Sequence, residues 1–130
     1  GIYFVLNNDQ PAEFLSINNG GHFKGKDPTI QIDELKNNWV NETQVLYIGK
    51  AGGASSKATL QKRLKQYMRF GEGDPVGHWG GRLIWQLGDN RNFIIAWKPL
   101  PREEPREVEK TLIREFERTY SKLPFANLMH

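Results

Sequence analysis

The chain has 130 residues, 12% of them aromatic, and a formal net charge of +3. That length suits one domain with a single core rather than two, and no apolar run approaches the roughly 20 residues of a membrane span, which excludes a helical membrane protein. There are no cysteines for a disulfide framework and no basic-then-apolar leader, so a reducing cytoplasm is expected; with glycine in place of methionine at position 1, the chain reads as trimmed or processed.

In chain order, GIYFVL is a β-rich run stopped by the turn signal Asn7-Asn8-Asp9, giving a first strand over 1–6. Residues 12–43 have no clear period; Asn18-Asn19-Gly20-Gly21 marks a turn, and IDELKNNWV suggests a short helix after Asp33. QVLYIGK gives a second strand over 44–50, followed by a Gly/Ser-rich connection, AGGASSKA. Thr59 is the expected N-cap of a helix over 60–70, with Leu60, Leu64 and Met68 as its apolar stripe and Gly71 as its end. RLIWQL and FIIAWKPL flank Gly88-Asp89-Asn90-Arg91 and suggest a hairpin, with a strand over 92–98. Pro105 starts a helix over 105–120, whose Val108, Leu112, Phe116 and Tyr120 repeat every four residues with Glu109 at the border of that stripe. The expected class is α/β of the α+β kind: a small, mainly antiparallel sheet flanked by helices.

Charge is unevenly distributed. No acidic residue occurs between Glu42 and Glu72, while Lys50, Lys57, Lys62, Arg63, Lys65 and Arg69 all do. Such a block can supply phosphate contacts that release counterions, although a solvated helix face has the same composition. Two further segments, GGHFKGKDP at 20–28 with Lys24 and Lys26, and VGHWGGRLIW at 76–85 with His78 and Arg82, combine basic or histidine groups with glycine and an aromatic ring. His22 and His78 lack metal-ligand spacing, so no zinc site is expected.

Phosphodiester hydrolysis needs an activated water, cancellation of charge on the phosphoryl oxygens, and stabilisation of the leaving oxygen. Arginine suits the phosphoryl group because its fork binds two oxygens and keeps its charge. A tyrosine can serve as base only if its pKa, about 10 unperturbed, is lowered by a nearby cation. Lys50 and Arg63 could supply that charge, and a lone Glu109 would hold Mg²⁺ weakly, the ion completing its shell with water and substrate phosphate.

The order Tyr3 in GIY, Tyr47 in YIG, Arg63, Tyr67, Glu109 in E-x-x-L-I and Asn127 in P-x-x-N resembles the GIY-YIG nuclease superfamily along the whole chain. The resemblance implies a Mg²⁺-dependent, or Mn²⁺-dependent, endonuclease acting on DNA as a single domain over 1–130. It makes Tyr3 and Tyr47 the signature tyrosines, one the general base and the other orienting the water. Lys50 matches a lysine of the DNA-repair members, Arg63 the catalytic arginine, and Tyr67 a position held by tyrosine or histidine. Glu109 matches the metal-binding glutamate and Asn127 the structural and catalytic asparagine. With Lys24, Lys26, Lys57, Lys62, Lys65, Arg69, His78 and Arg82 as candidate nucleic-acid contacts, these seven form the expected site. The chain departs from the family pattern in the insertion over 12–43, where the family has a tight hairpin between the two tyrosine motifs.

Each residue taken singly also has a structural reading: strand tyrosines are commonly core aromatics, and a glutamate near a helix start favours the macrodipole. The alternative function is a nucleic-acid-binding module of the same fold without catalysis, separated from the first by activity in Mg²⁺. A homodimer or a place in a larger protein fits either.

Overall fold

The structure is a computed structural model that describes residues 1–8, 11–53, 59–76 and 79–128. It is a mixed α+β fold built on a three-stranded antiparallel sheet in the order β2-β1-β3, with β1 at Ile2–Leu6, β2 at Val45–Lys50 and β3 at Ile94–Lys98. The helices are α1 (Ile32–Asn38), α2 (Leu60–Gly71) and α3 (Pro105–Tyr120), with 3-10 segments at Phe23–Gly25 and Trp79–Gln86. No helix among the described residues is long and apolar enough to cross a membrane.

The central strand, β1, pairs Tyr3 with Gly49 on one side and with Trp97 on the other. Strand alternation then sends Tyr3 and Val5 to one face and Ile2 and Phe4 to the other. Tyr3 and Val5 enter the main core with Tyr67 and Phe70 of α2, Leu35 of α1, Leu83, Ile84, Trp85 and Leu87, and Phe125 and Ala126 near the C-terminus. α3 lies against β2 and β1, and buries Ile113 and Phe116 outside that cluster.

Local chemistry explains the helix ends. The Thr59 hydroxyl accepts a hydrogen bond from the Lys62 N–H at 3.1 Å, a cap that contributes about 1 kcal/mol. Pro105 occupies the first turn of α3, where its missing N–H costs nothing, and Ser121 ends that helix in the left-handed region at φ 60°.

Three expectations are corrected. RLIWQL is not a strand, and no hairpin joins it to β3: residues Trp79–Gln86 form a 3-10 segment whose Leu83, Ile84, Trp85 and Gln86 are all buried, so a run without a polar face plugs the core. Trp85 within it is a core residue, at 2% exposure. On α2 Leu60 and Leu64 pack against the core as expected, but Met68 is 45% exposed and the fully buried side runs through Tyr67, Phe70 and Gly71. α2 does end at Gly71, but not by a left-handed turn there; Glu72 caps the helix in right-handed geometry. A Cβ at position 71 would strike the indole of Trp85, and glycine is required for that approach.

The inserted segment is held by buried amides. Gln86, fully buried, donates to the carbonyls of Leu15 and Ile30 and accepts the Ile30 N–H at 2.8 Å. Asn18 donates to the Arg82 carbonyl at 2.7 Å and accepts from the Gly20 N–H, also at 2.7 Å. These bonds tie residues 15–30 to the 3-10 segment, so the insertion is part of the core rather than an appended loop.

Candidate active site

Tyr3 and Tyr47 come together because they lie on adjacent strands and point to one face. Their ring centroids are 6.0 Å apart, and both side chains are buried, Tyr3 fully and Tyr47 at 8% exposure. The two side chains share a hydrogen bond that raises the Tyr3 pKa and lowers that of Tyr47, so the bond favours a phenolate on Tyr47 over one on Tyr3. Gly49 is needed beside them, since Tyr3 lies over it from the paired strand.

Burial dominates both phenols, pushing Tyr3 well above the ordinary tyrosine value and Tyr47 above it too. For Tyr47 the next influences are the Arg63 charge, which lowers the pKa, and the Glu109 charge, which raises it. Arg63 is half-buried on α2, where its guanidinium donates to the side-chain amide oxygen Oε1 of Gln66 at 2.8 Å. Tyr67, one turn on, is buried against Trp85 with ring centroids 4.8 Å apart, and its pKa is raised by burial and then by Tyr47.

Glu109 approaches from α3. Burial pushes its carboxyl pKa up, and Lys50, Arg63 and Arg106 each pull it down. Tyr3, Tyr47, Lys50, Arg63 and Glu109 therefore act on one another through charge, with Tyr67 at the margin. Arg106 was missed from the sequence, although its position three residues before Glu109 on a helix places both on neighbouring surface.

Asn127 has a different task. Its amide donates to the Ile48 carbonyl and its oxygen accepts the Ile48 N–H, both at 2.9 Å, so it pairs with the outer edge of β2 like one more strand residue. It positions the strand that carries Tyr47.

Among the described residues no three His, Cys, Asp or Glu side chains converge as a metal cage. The donor set fits a hard divalent cation only as one carboxylate, Glu109, with water and phosphate oxygens as the remaining ligands.

The expected nucleic-acid contacts separate into groups. Lys62, Lys65 and Arg69 are exposed along α2, with Arg69 paired to Asp74 at 3.0 Å. Lys24 and Lys26 are exposed in the insertion, Lys24 lying 5.3 Å from the centre of the Phe23 ring. Arg82 is half-buried, where desolvation lowers its pKa and the charge of Glu34 raises it. Lys57 and His78 lie outside the described residues. No protein-family model, curated protein or solved structure matches the chain.

Proposed function

We propose that this chain is a metal-dependent endonuclease of the GIY-YIG type that hydrolyses DNA phosphodiester bonds. The observation that carries the reading is the Tyr3–Tyr47 hydrogen bond set under the opposed charges of Arg63 and Glu109. In this reading Tyr47 is the general base, because a phenolate on Tyr47 would be stabilised by the Tyr3 hydroxyl and by the charge of Arg63. Tyr47 takes the proton of the attacking water, and Tyr3 holds the Tyr47 oxygen in place.

Arg63 and Lys50 bind the phosphoryl oxygens and offset the charge that grows on them. Glu109 would hold a Mg²⁺ or Mn²⁺ ion, which supplies positive charge beside the leaving oxygen. The lysines of α2 track the backbone of the bound strand.

The experiment is incubation of supercoiled plasmid with the purified chain and Mg²⁺, with and without EDTA. Nicking in Mg²⁺ that EDTA abolishes supports the reading. Salt-sensitive DNA binding without cleavage would replace it with the non-catalytic binding module.

A further inference from the structure

The two edges of the sheet are finished differently. On the β2 side the C-terminal segment closes the edge: the Ala126 N–H donates to Leu46 O at 2.8 Å, and Asn127 satisfies both backbone groups of Ile48. On the β3 side no described residue closes the edge.

Ladder geometry says which groups are left outward. Gly1 and Ala51 exchange both of their backbone bonds, at 2.6 and 3.0 Å, so odd-numbered residues of β1 bond to β2 and even-numbered ones to β3. Ile2 and Phe4 therefore bond Lys98 and Ala96, and the N–H and C=O groups of Ile95 and Trp97 point away from β1. The side chains beside them are apolar and open to solvent on both faces, Ile94 at 54% and Trp97 at 62% exposure. The residues that protect an edge strand, Lys98 and Pro99, stand at one end only.

We propose that β3 is a homodimer interface, a second copy adding antiparallel to it about a two-fold axis at Ala96 and making a continuous six-stranded sheet. The self-complementarity of Ile94–Lys98 selects the occupant. In this register Ile95 faces the partner's Trp97, and Trp97 faces the partner's Ile95. All of the outward backbone groups of these residues are then used, and each Trp97 gains a β-branched cross-strand neighbour. Lys98 meets the partner's Ile94, so no like charges are opposed. Beside Trp97 lies a cleft of about 380 Å³ lined by Leu60, Gln61, Leu64 and Pro99, which receives the partner's side chains on that face.

The contact is isologous and closes after two copies. Because the axis is perpendicular to the sheet, the two Tyr3 residues lie on the same face, separated by three strand spacings or roughly 15 Å. The proposal does not depend on catalysis, and its test reads only association.

Ala96 would face the partner's Ala96 as a non-hydrogen-bonded pair, with Cα atoms about 4.5 Å apart and within disulfide reach. The chain has no cysteine, so Ala96→Cys is reported by a single thiol. Sedimentation equilibrium of the wild type should give twice the 15.0 kDa chain mass. Mild oxidation of Ala96→Cys should trap a covalent dimer, whereas Thr119→Cys, on exposed α3 surface, should not be trapped. Trp97→Lys should return the mass to that of one chain with its circular dichroism unchanged. A wild type that remains monomeric up to hundreds of micromolar, or Thr119→Cys cross-linking as readily as Ala96→Cys, would overturn the proposal.

Discussion

Tyr3 lies across Gly49 of the neighbouring strand so closely that a Cβ at position 49 would come within 2.5 Å of the Tyr3 hydroxyl oxygen. Tyr3 is fully buried, so its ring has no free space into which to move. Gly49→Ala should cost about 1–3 kcal/mol of stability through overpacking, and should lower cleavage further by displacing the Tyr3–Tyr47 hydrogen bond. Urea unfolding beside a cleavage assay reads both; an alanine variant of full stability and activity would mean that the two tyrosines do not depend on this contact.

The same hydrogen bond fixes a pH dependence. Tyr47 must lose its proton to act as base, and burial pushes its pKa above the ordinary value, so the single-turnover rate should rise with pH through the alkaline range. Tyr3→Phe removes the donor that favours the phenolate; the rising limb should move to higher pH, with the rate at fixed pH falling about tenfold. Tyr47→Phe should remove the limb altogether, a loss on the order of 10²–10⁴. A Tyr3→Phe profile that moved to lower pH would mean that Tyr3 does not stabilise a phenolate on Tyr47.

Glu109 should trade stability for function. Burial raises its folded-state pKa above the unfolded value of 4.5, so its favourable contribution is fully present below pH 4.5 and is lost as pH rises through the folded-state pKa. At pH 7 Glu109→Gln should therefore melt higher than the wild type while cleaving poorly, and the difference in melting temperature should shrink as the pH approaches 4. A variant that melts lower at pH 7 would mean that attraction to Lys50, Arg63 and Arg106 outweighs the cost of burial.

Asn127→Ala leaves the Ile48 N–H and C=O without their partners and should cost on the order of 1–3 kcal/mol. Amide exchange at Ile48 should accelerate more than at Phe4, in the middle of β1. Equal acceleration at both sites would show that Asn127 acts on the whole fold rather than on the edge of β2.

The lysines of α2, Lys62 and Lys65, are exposed to solvent. Replacing Lys62 and Lys65 together by alanine should reduce the slope of log affinity for duplex DNA against log salt by nearly 2, at about 0.9 per phosphate contact. An unchanged slope would move the DNA path away from α2.

What was legible in the sequence follows from how strongly local pattern determined each element. Ile2–Leu6, Val45–Lys50 and Ile94–Lys98 carry enough β-branched and aromatic residues to announce strands, and Thr59 and Pro105 mark helix starts by chemistry that needs no tertiary context. Leu83, Ile84 and Trp85 carry a strand-like pattern because a continuously apolar run looks the same in a buried strand and in a core plug. On α2 the repeat through Met68 competed with one through Tyr67 and Phe70, and only packing against Trp85 decided between them. Within the site, the motif order brought Tyr3, Tyr47, Lys50, Arg63 and Glu109 into consideration. The hydrogen bond between the two tyrosines, the part played by Arg106 and the pairing of Asn127 with Ile48 depend on three-dimensional placement that no spacing encodes.

The most direct test of the proposed nuclease is the single-turnover rate of DNA cleavage in Mg²⁺ by Arg63→Ala and Glu109→Ala beside the wild type, with folding of each variant verified by its thermal transition. The account predicts that both variants stay folded and that each loses at least about 10²-fold in rate, the size of one lost electrostatic contact to the transition state. Cleavage at the wild-type rate by both folded variants would contradict it.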